Sequence, residues 1–239
     1  MKYMVEIVIY FFIYSFFGWI CESIYCSIGN KKLINRGFLN GPICPIYGFG
    51  ALLIVYILAN IENVVILFIY GVIVTSTLEF IGGYLLEKIF NARWWDYSNK
   101  KFNLRGRVCL KNSILFGVLC IALMKLIHPR VVDFVGDIPY TMLLIISIII
   151  FILFLLDLSI TINAINKLNH KLKGLDDIIF ELSKVPEKLH EEFYRNKLHL
   201  IEEKSLLQRR IMNAFPNMKH NTRHKQLLYV KKIIKRKFK

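Results

Sequence analysis

Three acidic residues stand inside strongly apolar runs: Glu22, Glu79 and Asp157. A charged group in hydrocarbon is costly, so such residues are either functional or paired. Counted from the inner ends of their runs, Glu22 lies about six residues in and Glu79 about ten, roughly 9 and 15 Å deep at 1.5 Å per residue. Asp157 falls near the inner end of the last run. Three acids from three helices at similar depth predict a polar cavity open to one side. Arg36, Arg105 and Arg107, in the adjacent loops, are the natural counter-ions, because a buried acid needs a partner or a proton. Two readings stay open: a site that handles a substrate or a proton, and a set of ion pairs that tie loops to the bundle.

Two loops carry unusual residue types. The first reads RGFLNGPICPIYGFG. Gly37, Gly41, Gly48 and Gly50 permit tight turns and close backbone approach, and Pro42 and Pro45 suit a helix start. Irregular backbone survives at membrane depth only where it lines a cavity or is buried in protein, and this loop is read as such an element. An ordinary loop with proline at the entry to a helix is the other reading. The second loop reads RWWDYSNKKFNLRGRVCL. Trp94, Trp95 and Tyr97 suit the membrane–water interface. Asp96, Asn103, Arg105 and Arg107 crowd the same segment, which exceeds what an anchor needs.

No catalytic set is visible. The chain has no G-x-x-x-x-G-K-[ST] phosphate loop, no H-E-x-x-H pair and no G-x-S-x-G elbow. The six histidines are scattered. Cys21, Cys26, Cys44, Cys109 and Cys120 lack metal-ligand spacing and are read as reduced packing residues. Neither a metal nor a cofactor is expected.

The elements that position these residues follow from hydropathy. The chain is 55% hydrophobic, and its apolar residues fall in long runs rather than alternating. A crossing helix needs roughly 20 such residues. Five runs qualify, at about 4–28, 43–60, 64–90, 112–128 and 140–162. The second is marginal in length. The fourth is the shortest, carries Lys125, and is the one most apt to tilt or re-enter. The first is a span rather than a secretory leader, because Glu22 stands where a cleavage site would lie.

Basic residues fix the orientation. Lys31, Lys32 and Arg36 follow the first run, and Arg93, Lys100, Lys101, Arg105, Arg107 and Lys111 follow the third. The short loop around Glu62 has none. Such a bias places the N-terminus outside and the C-terminus inside. The fold class is therefore all-α: a polytopic transmembrane bundle of about five spans in the cell membrane, residues 1–162, with a helical cytoplasmic tail, 163–239.

Most of the formal +15 charge comes from that tail. Apolar residues recur every three or four positions beyond 158, so the last span is expected to continue into the cytoplasm, with a break at Gly174 and an end before Pro186. A second amphipathic stretch is predicted over 187–215. A final basic helix, with Leu227, Val230, Ile234 and Phe238 on one side, is read as lying on anionic inner-leaflet lipid. No nucleic-acid reader motif accompanies the charge.

The strings FFIYSFFGWICESIY, RGFLNGPICPIYGFGAL and LEFIGGYLLEKIFNARWWDYSNKKFNLRGRVCL resemble, in order, the bacterial family of putative ABC-transporter type IV permeases. The resemblance covers roughly residues 5–130, and RRIMNAFPNMK resembles a stretch that follows the membrane domain in some members. The positions that match are Glu22, Arg36, Gly41, Pro42, Pro45, Tyr47, Gly48, Glu79, Trp95, Asp96, Tyr97, Asn103, Gly106 and Arg107. The resemblance implies a transport permease subunit with its ATPase on a separate chain, and this short chain would have to oligomerise to enclose a path. A non-catalytic scaffold or regulator acting through the tail, and an embedded enzyme on lipid-linked substrates, are the alternatives. The orientation is checked with a reporter enzyme active only outside the cytoplasm: fused after Glu62 it is expected to work, and fused to the C-terminus to stay silent.

Overall fold

The computed structural model describes residues 2–31, 33–182, 206–224 and 227–228. The helices are α1 (Lys2–Asn30), α2 (Pro45–Ile57), α3 (Val64–Phe90), α4 (Leu110–Ala122), α5 (His128–Gly136), α6 (Tyr140–Leu182) and α7 (Leu206–Ala214). The strands are two-residue pieces: β1 (Ala92–Arg93), β2 (Asn103–Leu104), β3 (Val108–Cys109) and β4 (Lys219–His220). β1 pairs with β4, and β2 with β3, both antiparallel. Four helical stretches are long and apolar enough to cross a membrane: Lys2–Ile28, Val64–Phe90, Leu110–Gly136 and Tyr140–Gly174. The all-α membrane bundle expected from hydropathy is what the chain forms.

The second expected span is built differently. α2 has 13 residues, which reach about 20 Å at 1.5 Å per residue, short of the roughly 30 Å of hydrocarbon. It is preceded by non-helical chain running back along α1. The Ile34 amide donates to Ser27 Oγ at 3.0 Å, and the Arg36 amide to Ser23 Oγ at 3.2 Å. The Trp19 indole donates to Asn35 Oδ1 at 2.7 Å, and the Cys44 amide to the Ser15 carbonyl at 3.0 Å. Residues 33–44 thus climb to the level of Ser15, half-way along α1, and α2 starts there with Pro45 at its first turn. Leu39 is fully buried on the way.

The fourth span is longer than its reading. The apolar run ends at about His128, and Pro129 follows. Proline removes one helical donor and crowds the carbonyl four residues back, that of Lys125. A single π turn, Leu123–Ile127, absorbs the misfit, and the helix continues to Gly136. Arg130 Nη1 donates to the Leu126 carbonyl at 2.7 Å, re-pairing the loosened turn.

α6 is also unbroken where a break was expected. It runs through Gly174 to Leu182, so the boundary drawn at residue 162 falls inside one helix. Most of the second amphipathic stretch, and the final helix apart from His224, Leu227 and Leu228, lie outside the described residues. Leu227, read as lipid-facing, is instead fully buried. It joins Ala164, Ile165, Leu168 and Leu172 of α6, Ile211 and Met212 of α7, Phe215, Met218, Phe90 and Trp94 in one apolar cluster.

Within the membrane part, α1 packs mainly on α2, and α3 on α4. Small residues bring the axes together, because lipid offers no hydrophobic drive between helices. A Cβ on Gly48 would stand 2.2 Å from Ser15 Oγ and 2.7 Å from the Phe11 carbonyl. By contrast, nothing lies within 4 Å of a Cβ built on Gly136. Gly48→Ala is therefore expected to destabilise the purified protein by about 1–3 kcal/mol, the usual range for overpacking. Gly136→Ala is expected to be neutral within about 0.5 kcal/mol. Denaturant unfolding in detergent, followed by circular dichroism, measures both.

Candidate functional site

Glu22 and Glu79 come together through two tyrosines. Tyr47, in the first turn of α2, donates to Glu22 Oε1 at 2.8 Å. Tyr97, from the loop after α3, hydrogen-bonds Glu79. The four side chains interact as one group, since Tyr97 feels both carboxylates and Tyr47 feels both Glu22 and Tyr97. Glu22 Oε2 also lies 3.7 Å from Arg36 Nε and 3.8 Å from Cys26 Sγ. Glu79 is only 7% exposed, and its Oε2 is buried without a hydrogen-bond partner among the described residues. Burial, with the charges of Glu79 and Glu22 adding to it, pushes the Tyr97 hydroxyl well above the ordinary tyrosine range. It therefore stays a donor toward Glu79.

Asp157 does different work. Its Oδ1 accepts from the Asn40 amide at 3.0 Å and from Asn40 Nδ2 at 2.9 Å, and its Oδ2 accepts from the Gly41 amide at 2.8 Å. Thr161 Oγ1 adds a longer contact to Oδ1 at 3.3 Å. One carboxylate on α6 thus pairs both amides of the turn at 40–41. Pro42, which has no amide hydrogen to satisfy, follows at once.

The three arginines go to three places. Arg36 is with Glu22. Arg107, expected beside the acids above, instead pairs with Glu87 of α3 at 2.7 Å, and its guanidinium lies 5.5 Å from the rings of Phe80 and Tyr84. Arg93 reaches the same Glu87 at 3.3 Å. Glu87 was not singled out from sequence, although it lies two helical turns beyond Glu79 and so on a similar face. Arg105 is exposed at a turn tip and meets none of the three acids.

The loop 91–109 is a folded object. Asn91 ends α3 in the left-handed conformation. Asp96 Oδ1 accepts from the Ser98 amide at 3.0 Å and from its hydroxyl. The Tyr97 amide donates to the Gly106 carbonyl at 2.8 Å, and Trp95 Nε1 to the Arg107 carbonyl at 2.9 Å. Asn103 Nδ2 donates to the carbonyls of Lys100 and Ser98, and Asn103 Oδ1 accepts from the Gly106 amide. Arg105 and Gly106 have φ of 52° and 69°, and the Arg107 amide closes onto the Leu104 carbonyl, a type I′ turn. A Cβ on Gly106 would meet Ser98 Oγ at 2.5 Å and Asp96 Oδ1 at 2.6 Å. The Trp-Asp-Tyr-Ser and Asn-Leu-x-Gly-Arg strings therefore build one knot that aims Tyr97 at Glu79. Trp94 is buried 5.0 Å from Phe215 and 5.1 Å from Phe38, away from any lipid belt.

Residues 206–224 bridge both loops. Arg210 donates to the carbonyls of Gly37 at 3.2 Å and Phe38 at 2.9 Å. Arg36 donates to the Ala214 carbonyl, with its guanidinium 4.4 Å over the Phe215 ring. Lys219 pairs with Asp96, β4 adds to β1, and the Asn221 amide donates to the Asn91 carbonyl at 3.0 Å.

An apolar helix bundle whose intramembrane carboxylates are gripped by tyrosines from structured loops defines a helical membrane protein with a built polar centre. A family model described as putative ABC-transporter type IV matches residues 9–162, and the chain belongs to that family. No curated protein and no solved structure matches it. The match ends inside α6, before the bridging segment begins.

Burial raises the Asp96 carboxyl, but Lys219 and the Ser98 hydroxyl and amide outweigh it, so the group sits well below the ordinary aspartate range. A depressed folded value stabilises above the unfolded one, near 3.9, and the stabilisation is lost as pH falls below it. Amide exchange in the 91–109 loop is therefore expected to be flat from pH 7 to about 5 after correction for intrinsic rates, and to accelerate below about 4. Asp96→Asn is expected to show roughly five- to thirty-fold faster exchange at pH 7, the population change for one to two kcal/mol.

Proposed function

We propose that this chain is the membrane-embedded permease subunit of a transporter, driven by an ATPase carried on a separate chain. Family membership supports the transport role. The observation that carries the coupling is the pair of tyrosines: Tyr47, in the first turn of α2 directly after the 33–44 loop, and Tyr97, from the 91–109 loop, end on the two glutamates. A force applied to either loop moves a hydrogen-bond partner of a buried carboxylate. With the N-terminus outside, both loops face the cytoplasm, where an ATPase would act.

Glu79 is the substrate- or proton-handling group in this reading, because its Oε2 is enclosed and has no hydrogen-bond partner among the described residues. Glu22 shares the site, with its charge offset by Arg36. Asp157 holds the loop in place. Arg107, paired to Glu87, ties the loop that carries Tyr97 to α3. A single copy with this few long helices has its apolar faces open: only 11% of the apolar window of α6 is buried within the chain. Those faces are for lipid and for further copies, which together would enclose a path in the cell membrane. The basic tail supports attraction to anionic inner-leaflet lipid.

The test is purification in mild detergent with its nucleotide-binding partner, followed by ATP-driven flux in vesicles. Glu79→Gln and Tyr97→Phe are each expected to lower flux roughly tenfold or more, since the first removes the ionisable group and the second its hydrogen-bond donor. Glu62→Gln, in the loop before α3, is expected to leave it unchanged. Failure to recover any ATPase, with no ATP-dependent flux, would reject the reading.

A further inference from the structure

We propose that residues 206–224, with Leu227, form a releasable strap that locks the two loops of the polar centre in their closed arrangement. The chain beyond the family-matched region is thereby a built-in brake on the region within it. Three observations point to this.

The strap holds the irregular loop through main-chain carbonyls. Arg210 spans those of Gly37 and Phe38, and Arg36 returns the grip onto the Ala214 carbonyl. These contacts are made to backbone that has no regular partner, so the strap completes a segment that would otherwise expose polar groups. At its other end the strap grips the knotted loop through Lys219 on Asp96, the β1–β4 pair and the Asn221–Asn91 bond. One short segment thus cross-links the loop that leads into α2 and Tyr47 with the loop that carries Tyr97.

The fastening is suited to reversal. Its polar grips are a few arginine, lysine and backbone bonds, and Lys219 is 52% exposed. Its apolar part is a single cluster on α6, 164–172, shared with Phe90 and Trp94. The strap therefore leaves as a unit without unpacking α1 from α2 or α3 from α4, whose contacts lie elsewhere.

The chain carries its own reporters. Cys44 is buried, and its Sγ donates to the Arg36 carbonyl at 3.3 Å, next to Gly37. Cys109 is buried at the foot of the knotted loop, paired in register with Asn103. Cys120 is buried between α3 and α4, beneath Leu67 and Gly71, and touches no strap residue. Opening of the strap frees the first two and spares the third.

The experiment is thiol labelling of the full-length protein in vesicles with a small maleimide, resolved by site with mass spectrometry. Arg210→Ala combined with Lys219→Glu is expected to raise the labelling rates of Cys44 and Cys109 at least fivefold while Cys120 stays protected. Lys101→Glu, an exposed charge change in the same loop, is expected to leave all three rates as in the unaltered protein. A smaller rise in the double variant overturns the proposal. So does Cys120 opening in step with the others, because the segment would then be part of one cooperative core. The readout requires neither ATP nor a transported substrate, so it stands or falls apart from the permease assignment.

Discussion

A main-chain N–H must be paired wherever water is missing, and residues 33–44 meet that demand without forming a helix. Hydroxyls of Ser27 and Ser23, the Ser15 carbonyl and the Asp157 carboxylate each take one or more donors from this segment. Much else follows from that solution. α2 can begin half-way along α1, which sets Tyr47 against Gly18, from where its hydroxyl reaches Glu22. Gly48 then faces Ser15 and Phe11, which admits no side chain. Without the carboxylate on α6, the turn at Asn40 and Gly41 would have two unsatisfied amides in an apolar setting, each costing about 1–3 kcal/mol.

Charge is distributed with the same economy. The acids near the loop end have different sets of partners: an arginine and a tyrosine for Glu22, a tyrosine for Glu79, amides for Asp157, two arginines for Glu87, and a lysine, a serine and Arg93 for Asp96. Glu79 has the fewest. Its Oε2 is the one carboxylate oxygen among the buried side-chain atoms that have no hydrogen-bond partner within the described residues.

Much of this could be read in the sequence. The long apolar runs gave the helices because the spacing of hydrocarbon to helix rise leaves little freedom. The acids stood out as charges in such runs, and the glycine- and proline-rich loop announced irregular backbone. The division of labour among the acids was not legible. Spacing placed Asp157 with Glu22 and Glu79 by depth alone, and depth does not say which way a side chain turns on its helix. The pairing of Arg107 with Glu87 was not legible either, because Glu87 stands close to the end of its run. The continuation of the fourth helix past Pro129 was not legible, since a one-residue insertion that lets a helix pass a proline leaves no mark in hydropathy. The docking of 206–224 was invisible, because it depends on arginine reaching carbonyls far away in the chain.

α6 is one rod of 43 residues, about 65 Å long at 1.5 Å per residue. Asp157 on it carries the non-helical climb, and the turns a little further on carry the strap's apolar seat. A small tilt or roll of this rod would displace both attachments together and in fixed proportion. The molecule therefore has a natural single coordinate, along which the buried turn and the bridging segment are geared to each other as two points on one lever.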